Sequence, residues 1–159
     1  MSPRLNPAAL APALYKAYYE FSQALRKGSL GQTLIDLVHI RASQINGCAF
    51  CLDMHVKEAT IHGERPLRLH HLAIWRESPL FNPRERAALA FTESLTRLGP
   101  EGVPDDVYEE ARVHFSEKEL SELAFTIVEI NGWNRLSIGF RNQPGSMDQM
   151  LGLTAAGLS

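Results

Sequence analysis

Apolar residues recur every three or four positions along most of this chain, and each interruption is a helix stop followed by a helix start. Leu14, Tyr18, Phe21 and Leu25 share a helical face that Gly28 ends. Ser29 with Gln32 forms a capping-box signature for a second helix, running through Leu34, Leu37, Val38 and Arg41 to Asn46-Gly47. A third spans 48 to about 62, closed by Gly63, and Pro66 opens a shorter one through Leu69, Ala73 and Trp75. Asn82-Pro83-Arg84-Glu85 supplies an N-cap, a proline at N1 and a glutamate at N3 for a helix carrying Ala87, Phe91 and Leu95, which Gly99-Pro100 ends. A short helix is predicted over 105–114. Ser116 with Glu119 then caps a long final helix bearing Leu120, Leu123, Ile127, Asn134 and Ile138, before Gln143-Pro144-Gly145. No stretch alternates cleanly enough for a strand. The expectation is an all-α fold of about seven helices, a single domain over 1–145, and a tail over 146–159 that is either a short docked helix or a disordered end.

The charge pattern narrows the classes of partner. Sixteen basic and eighteen acidic residues are interspersed for a net charge of −2, with no basic stripe to attract nucleic acid or anionic lipid. No apolar run approaches the roughly 20 residues of a membrane span. Prolines and charge break the first seven residues before an apolar stretch forms, unlike a signal peptide. The expectation is therefore a cytoplasmic protein with neither nucleic-acid nor membrane partner.

The chemistry concentrates in Asn46-Gly47-Cys48-Ala49-Phe50-Cys51-Leu52-Asp53-Met54-His55, which holds the only two cysteines. With Asn46-Gly47 ending one helix and Cys48 starting the next, residues 48, 51 and 55 fall at i, i+3 and i+7 on one face. Thiols at a helix N-terminus with a base one turn along are placed to be thiolates. A disulfide closing so short a loop would stabilise almost nothing, so a working CxxC in a reducing compartment fits better than a structural bridge.

The run from Ile45 to His55 resembles the AhpD-like alkylhydroperoxidase branch of the carboxymuconolactone decarboxylase family. Arg41-Ala42-Ser43-Gln44 before it, Trp75-Arg76-Glu77-Ser78-Pro79-Leu80-Phe81, and Asn131-Gly132-Trp133-Asn134-Arg135 extend the resemblance over about residues 15–142. The resemblance implies an all-helical subunit that assembles as a homo-trimer or homo-hexamer and reduces hydroperoxides with its thiols, without a cofactor or metal. It also implies catalytic roles for Cys51, Cys48 and His55. The family's glutamate twelve residues before the first cysteine falls on Asp36, one methylene shorter. Its histidine inside the CxxC is here Phe50. The decarboxylases proper lack the cysteine pair.

On this reading His55 takes the proton of Cys51, while Asp36 orients the imidazole or holds it charged, directly or through a water. Cys51 attacks the peroxide and Cys48 resolves the sulfenic acid; proximity to the helix N-terminus argues for the reverse order. An external dithiol, lipoyl-type or thioredoxin-like, resets the pair. The alternatives are a non-enzymatic redox sensor or partner with a thiol–disulfide switch, a lactone lyase like the decarboxylases, inert buried thiols, and a zinc site of Cys48, Cys51 and His55 completed by Asp36 or His39. The bland readings make His39 a solvated or packing residue, His62, His70 and His71 surface residues, and Asp36 a helix charge paired with Arg41. Glu129 and Asn131 could approach the site from the last helix, with Trp133 as packing or subunit contact.

Overall fold

The computed structural model describes residues 2–158. Nine α-helices follow one another among these residues: α1 (Pro7–Leu10), α2 (Pro12–Arg26), α3 (Gln32–Asn46), α4 (Ala49–Ile61), α5 (Pro66–His71), α6 (Pro83–Thr96), α7 (Asp105–His114), α8 (Glu117–Phe140) and α9 (Asp148–Leu151). Two 3-10 turns, Leu72–Ile74 and Leu153–Ala156, complete the order. The described residues contain no strand, only an isolated bridge between Gly99 and Gly102. None of these helices is long and apolar enough to cross a membrane.

The predicted caps at Asn82 and Ser116 form as reciprocal capping boxes with Glu85 and Glu119. The box predicted at Ser29 does not form. Its N–H and hydroxyl both engage the Glu122 carboxylate on α8, and the helix begins instead after Gly31, whose φ of 85° suits glycine.

α3 is the central helix. Its Leu34, Ile35 and Val38 pack with Ala88 and Phe91 of α6, Ala111 of α7, and Leu123 and Ile127 of α8. From the same turns, Leu37 and Ile40 pack with Ala59 of α4, Leu69 of α5, and Leu72, Trp75, Phe81 and Leu89. Every residue from 34 to 40 is buried, so this stretch is covered on all sides. The two polar side chains within it, Asp36 and His39, must find their partners inside the protein. The tail is a docked element: Lys57 bridges Asp53 (2.9 Å) and Asp148 (2.6 Å), the Gly145 N–H donates to Asp53, and Leu153 is buried.

Candidate active site around the cysteine pair

The α3–α4 junction is set by backbone chemistry. Gly47 takes the left-handed conformation (φ 68°) that ends α3, its N–H donating to the Gln44 carbonyl and that of Cys48 to the Ser43 carbonyl. This is a Schellman termination, which needs a residue without Cβ strain at that position. Cys48 thus closes one helix and caps the next, its sulfur accepting the Cys51 N–H at 3.3 Å. Asparagines pin this corner to α8: the Asn46 amide donates to Asn131 (2.9 Å) and Asn134 (2.8 Å), and that of Asn134 to Ser43. Asn131 donates onward to Thr96. The family signature on the last helix therefore works as a clamp on the cysteine turn.

Cys48 and Cys51 stand as a disulfide pair with Cα atoms 5.4 Å apart, within the span such a bridge requires. Both are buried, at 2% and 1% exposure. One turn on, His55 is also buried, and its Nδ1 lies 2.7 Å from Glu58 Oε2. Arg26, reaching over from α2, donates to both Glu58 oxygens at 3.1 Å. Burial lowers the His55 pKa, the charges of His39 and Arg26 add to that, and the Glu58 hydrogen bond offsets part of it. Burial alone would raise the Glu58 carboxyl. The His55 hydrogen bond and the charges of His55 and Arg26 outweigh it and bring the carboxyl down to about 2. The resting arrangement is an ionised Glu58 and a neutral His55, whose Nε2 is buried without a hydrogen-bond partner.

The structure thus gathers Cys48, Cys51 and His55 on one face of α4 but does not bring Asp36 to them. Asp36 accepts a hydrogen bond from Gln32 (2.8 Å), and its other oxygen lies 2.7 Å from His62 Nδ1. Asp36 and His62 lie along an open cleft of about 280 Å³ with Thr33, Arg65 and Arg68. The carboxylate in direct contact with His55 is Glu58, not Asp36. The expected roles of Arg41 and His62 change accordingly: Arg41 pairs with Glu93, and His62 is a partner of the buried acid rather than a bare surface residue.

His39 is neither solvated nor remote. Its ring centroid lies 4.6 Å from that of His55, tilted by 54°, and its Nε2 is 3.3 Å from Glu129 Oε2. The other Glu129 oxygen accepts the Ser22 hydroxyl, which in turn accepts the Trp133 indole N–H at 2.9 Å. Burial pushes the Glu129 carboxyl up, but His39, Ser22 and the charge of His55 together hold it below the ordinary value. Among the described residues no three His, Cys, Asp or Glu side chains converge as a metal-holding group.

Glu58 was legible in the sequence, since positions 48, 51, 55 and 58 continue one helical face. The pairing of His39 with Glu129 joins residues ninety positions apart and carries no local signal.

The chain is 37% identical over 146 residues to YdfG, an uncharacterised protein of Bacillus subtilis, an overlap of 92% of this chain and 99% of that one. YnjA of Escherichia coli, also uncharacterised, is 32% identical over 120 residues, 74% of this chain and 62% of that protein. A crystal structure of a protein of unknown function from Agrobacterium tumefaciens, suggested there to be the antioxidant defence protein AhpD, superposes with a TM-score of 0.87 at 39% identity, covering 90% of this chain and 98% of that one. The profile of the carboxymuconolactone decarboxylase family matches residues 12–94, taking in the whole cysteine turn. With its helical order, cysteine pair and histidine in place, the chain belongs to that family, in the AhpD-like branch.

Proposed function

We propose that the protein is a thiol-dependent hydroperoxide reductase, a peroxiredoxin-type oxidoreductase whose substrates are small hydroperoxides. The observation that carries this reading is the cysteine pair at disulfide distance, one helical turn from a buried neutral histidine with an ionised carboxylate behind it. A neutral thiol is a poor nucleophile, and a free cysteine of pKa about 8.5 is mostly protonated at neutral pH. His55 Nε2 takes the proton of Cys51, while Glu58 and Arg26 hold the ring in one orientation and Glu58 balances its new charge. The Cys51 thiolate attacks the peroxide, an S–O bond forms as the O–O bond breaks, and the departing alkoxide takes the proton from His55. The Cys48 thiol then displaces hydroxide from the sulfenic acid, water leaves, and a disulfide remains. A dithiol of the lipoyl or thioredoxin class reduces it and is itself oxidised.

Two free thiols per reduced chain should fall to near zero after one equivalent of an organic hydroperoxide; a count that stays at two overturns the redox reading. Sustained peroxide consumption with dithiol in excess supports the enzyme. The burial of both sulfurs favours a second reading, a redox switch that reports on thiol poise, and a protein that turns over once and stops would be that switch.

A further inference from the structure

The proposed reaction leaves a buried ionisable pair unused. His39 and Glu129 are each 3% exposed, and they come from different helices, α3 and α8. A histidine that merely filled space would not need a buried carboxylate 3.3 Å from its Nε2, since taking that charge out of water is unfavourable unless it is matched. The carboxylate is itself supported by the Ser22 hydroxyl. His39 Nδ1 and His55 Nε2 are buried without hydrogen-bond partners, His39 Nε2 and Glu129 Oε2 meet as an ion-pair contact rather than an aligned hydrogen bond, and the two rings lie 4.6 Å apart between centroids. The result is two carboxylate–imidazole pairs, Glu58–His55 and His39–Glu129, joined ring to ring.

Building on the reading of His55 as the base for Cys51, we propose that His39 and Glu129 are positioning residues that set the protonation of His55. Two positively charged rings at this separation repel strongly in a low-dielectric interior, so a proton on one opposes a proton on the other. Glu129 acts in the opposite sense and favours a positive charge within the ring pair. His55 therefore takes the thiol proton most readily while His39 is neutral and Glu129 ionised. The same balance returns the proton when the alkoxide leaves. The other titratable and charged groups that act on the pair are Glu58 of α4, in contact with His55, Arg26 of α2, which holds Glu58, and Tyr18 of α2, whose hydroxyl donates to the Glu129 carbonyl. Arg26 opposes a proton on His55 and Glu58 favours it, in line with the lowered His55 pKa.

The test is an imidazole NMR titration of the full-length reduced protein, which needs no peroxide. His39→Gln should move the His55 midpoint up, and Glu129→Gln should move it down, each by about one pH unit. Glu129→Asp, which keeps the charge, should restore most of the wild-type midpoint. A His55 midpoint that stays in place in folded His39→Gln overturns the coupling. If Glu129→Gln loses its helical circular dichroism, Ser22→Ala perturbs the same carboxylate more gently, and a His55 midpoint unmoved there and in His39→Gln also overturns it. Peroxide-driven thiol loss in the wild type is scored separately, so failure of the coupling and failure of the peroxidase reading are distinguishable.

Discussion

In the proposed reaction His55 serves as the base because burial keeps it neutral, and it can do so only if something nearby balances its charge once it is protonated. Glu58, ionised and gripped by Arg26, meets that need. His55→Ala should therefore slow oxidation of the reduced protein by hydroperoxide by about 10²–10⁴-fold, the usual worth of a general base. Glu58→Gln should cost less, because the carboxylate acts only through the ring. Stopped-flow rates across pH should recover in part at high pH for both, where the thiolate forms unaided. Asp36→Asn should leave the rate and its pH profile unchanged, since Asp36 is engaged by Gln32 and His62; a large loss there would restore Asp36 to the acid–base system. In Cys48→Ser, serine preserves the helix cap, and a sulfenic acid should persist on Cys51 and be trapped by dimedone. If the trapped sulfenic acid appears only in Cys51→Ser, Cys48 is the attacking residue. The grouping of Cys48, Cys51 and His55 was readable from spacing on one helical face. The contacts of Asp36 with Gln32 and His62 were not, because where a position on one helix falls against its neighbours is fixed only once the helix pairing is known.

At the level of elements, α2 lies over the site and is fastened there by side chains one turn apart. Tyr18 donates to the Glu129 carbonyl (2.7 Å), Ser22 to the Glu129 carboxylate, and Arg26 to Glu58. Tyr18 also packs against Trp133 and is raised to about 12 by burial and the charge of Glu129. α8 admits this contact only through Gly132, where a Cβ would fall on the Tyr18 hydroxyl and 2.8 Å from Cζ. Gly132→Ala should destabilise the protein by about 1–3 kcal/mol in urea unfolding, as overpacking does, and Tyr18→Phe should relieve part of that loss. Acid should loosen the same region. The folded-state pKa of Glu58 is depressed, so its contribution is present above the unfolded value of about 4.5 and is lost as pH falls towards about 2; its upper limit is about 3 kcal/mol. The His55 pKa is also depressed, so the folded state resists protonation and stability starts to fall below about pH 6.5. The melting temperature should thus drop in two stages on acidification, and Glu58→Gln should shrink the lower one, to which Glu93, Glu119, Glu122 and Glu129, also held below the ordinary carboxylate value, contribute. Helix boundaries were legible wherever the cap was a local sequence pattern, as at Asn82 and Ser116. Ser29 failed because a distant carboxylate, Glu122, outcompeted the local cap.

For the molecule as a whole, burial in the chain is incomplete along α8. Phe125, Val128 and Leu136 lie on one side of that helix at 57%, 54% and 37% exposure, and Leu10 and Leu14 stay exposed at the start of the chain. Scattered exposed apolar residues are ordinary, but a stripe at helical spacing beside the aromatic contacts of Phe21 and Phe125 is the surface we propose for subunit packing. The central place of α3 could be guessed from its dense apolar stretch, Leu34 to Ile40 broken only by Asp36 and His39, whereas the path of α2 across α4 and α8 could not, because its anchors are polar residues distant in sequence. The same holds between chains: periodicity exposes an unused face but does not count the copies that share it. The expectation of a trimer or trimer-based hexamer comes from the family resemblance, and the α8 stripe is where we propose such an assembly is sealed. Light scattering at micromolar concentration should give a multiple of 17.7 kDa in threes. Val128→Glu with Phe125→Glu should lower that mass while keeping the helical signal, because two charges would have to be buried unpaired at the contact. A wild-type mass of a single chain would remove the oligomer, and an unchanged oligomer in the double variant would move the interface off α8.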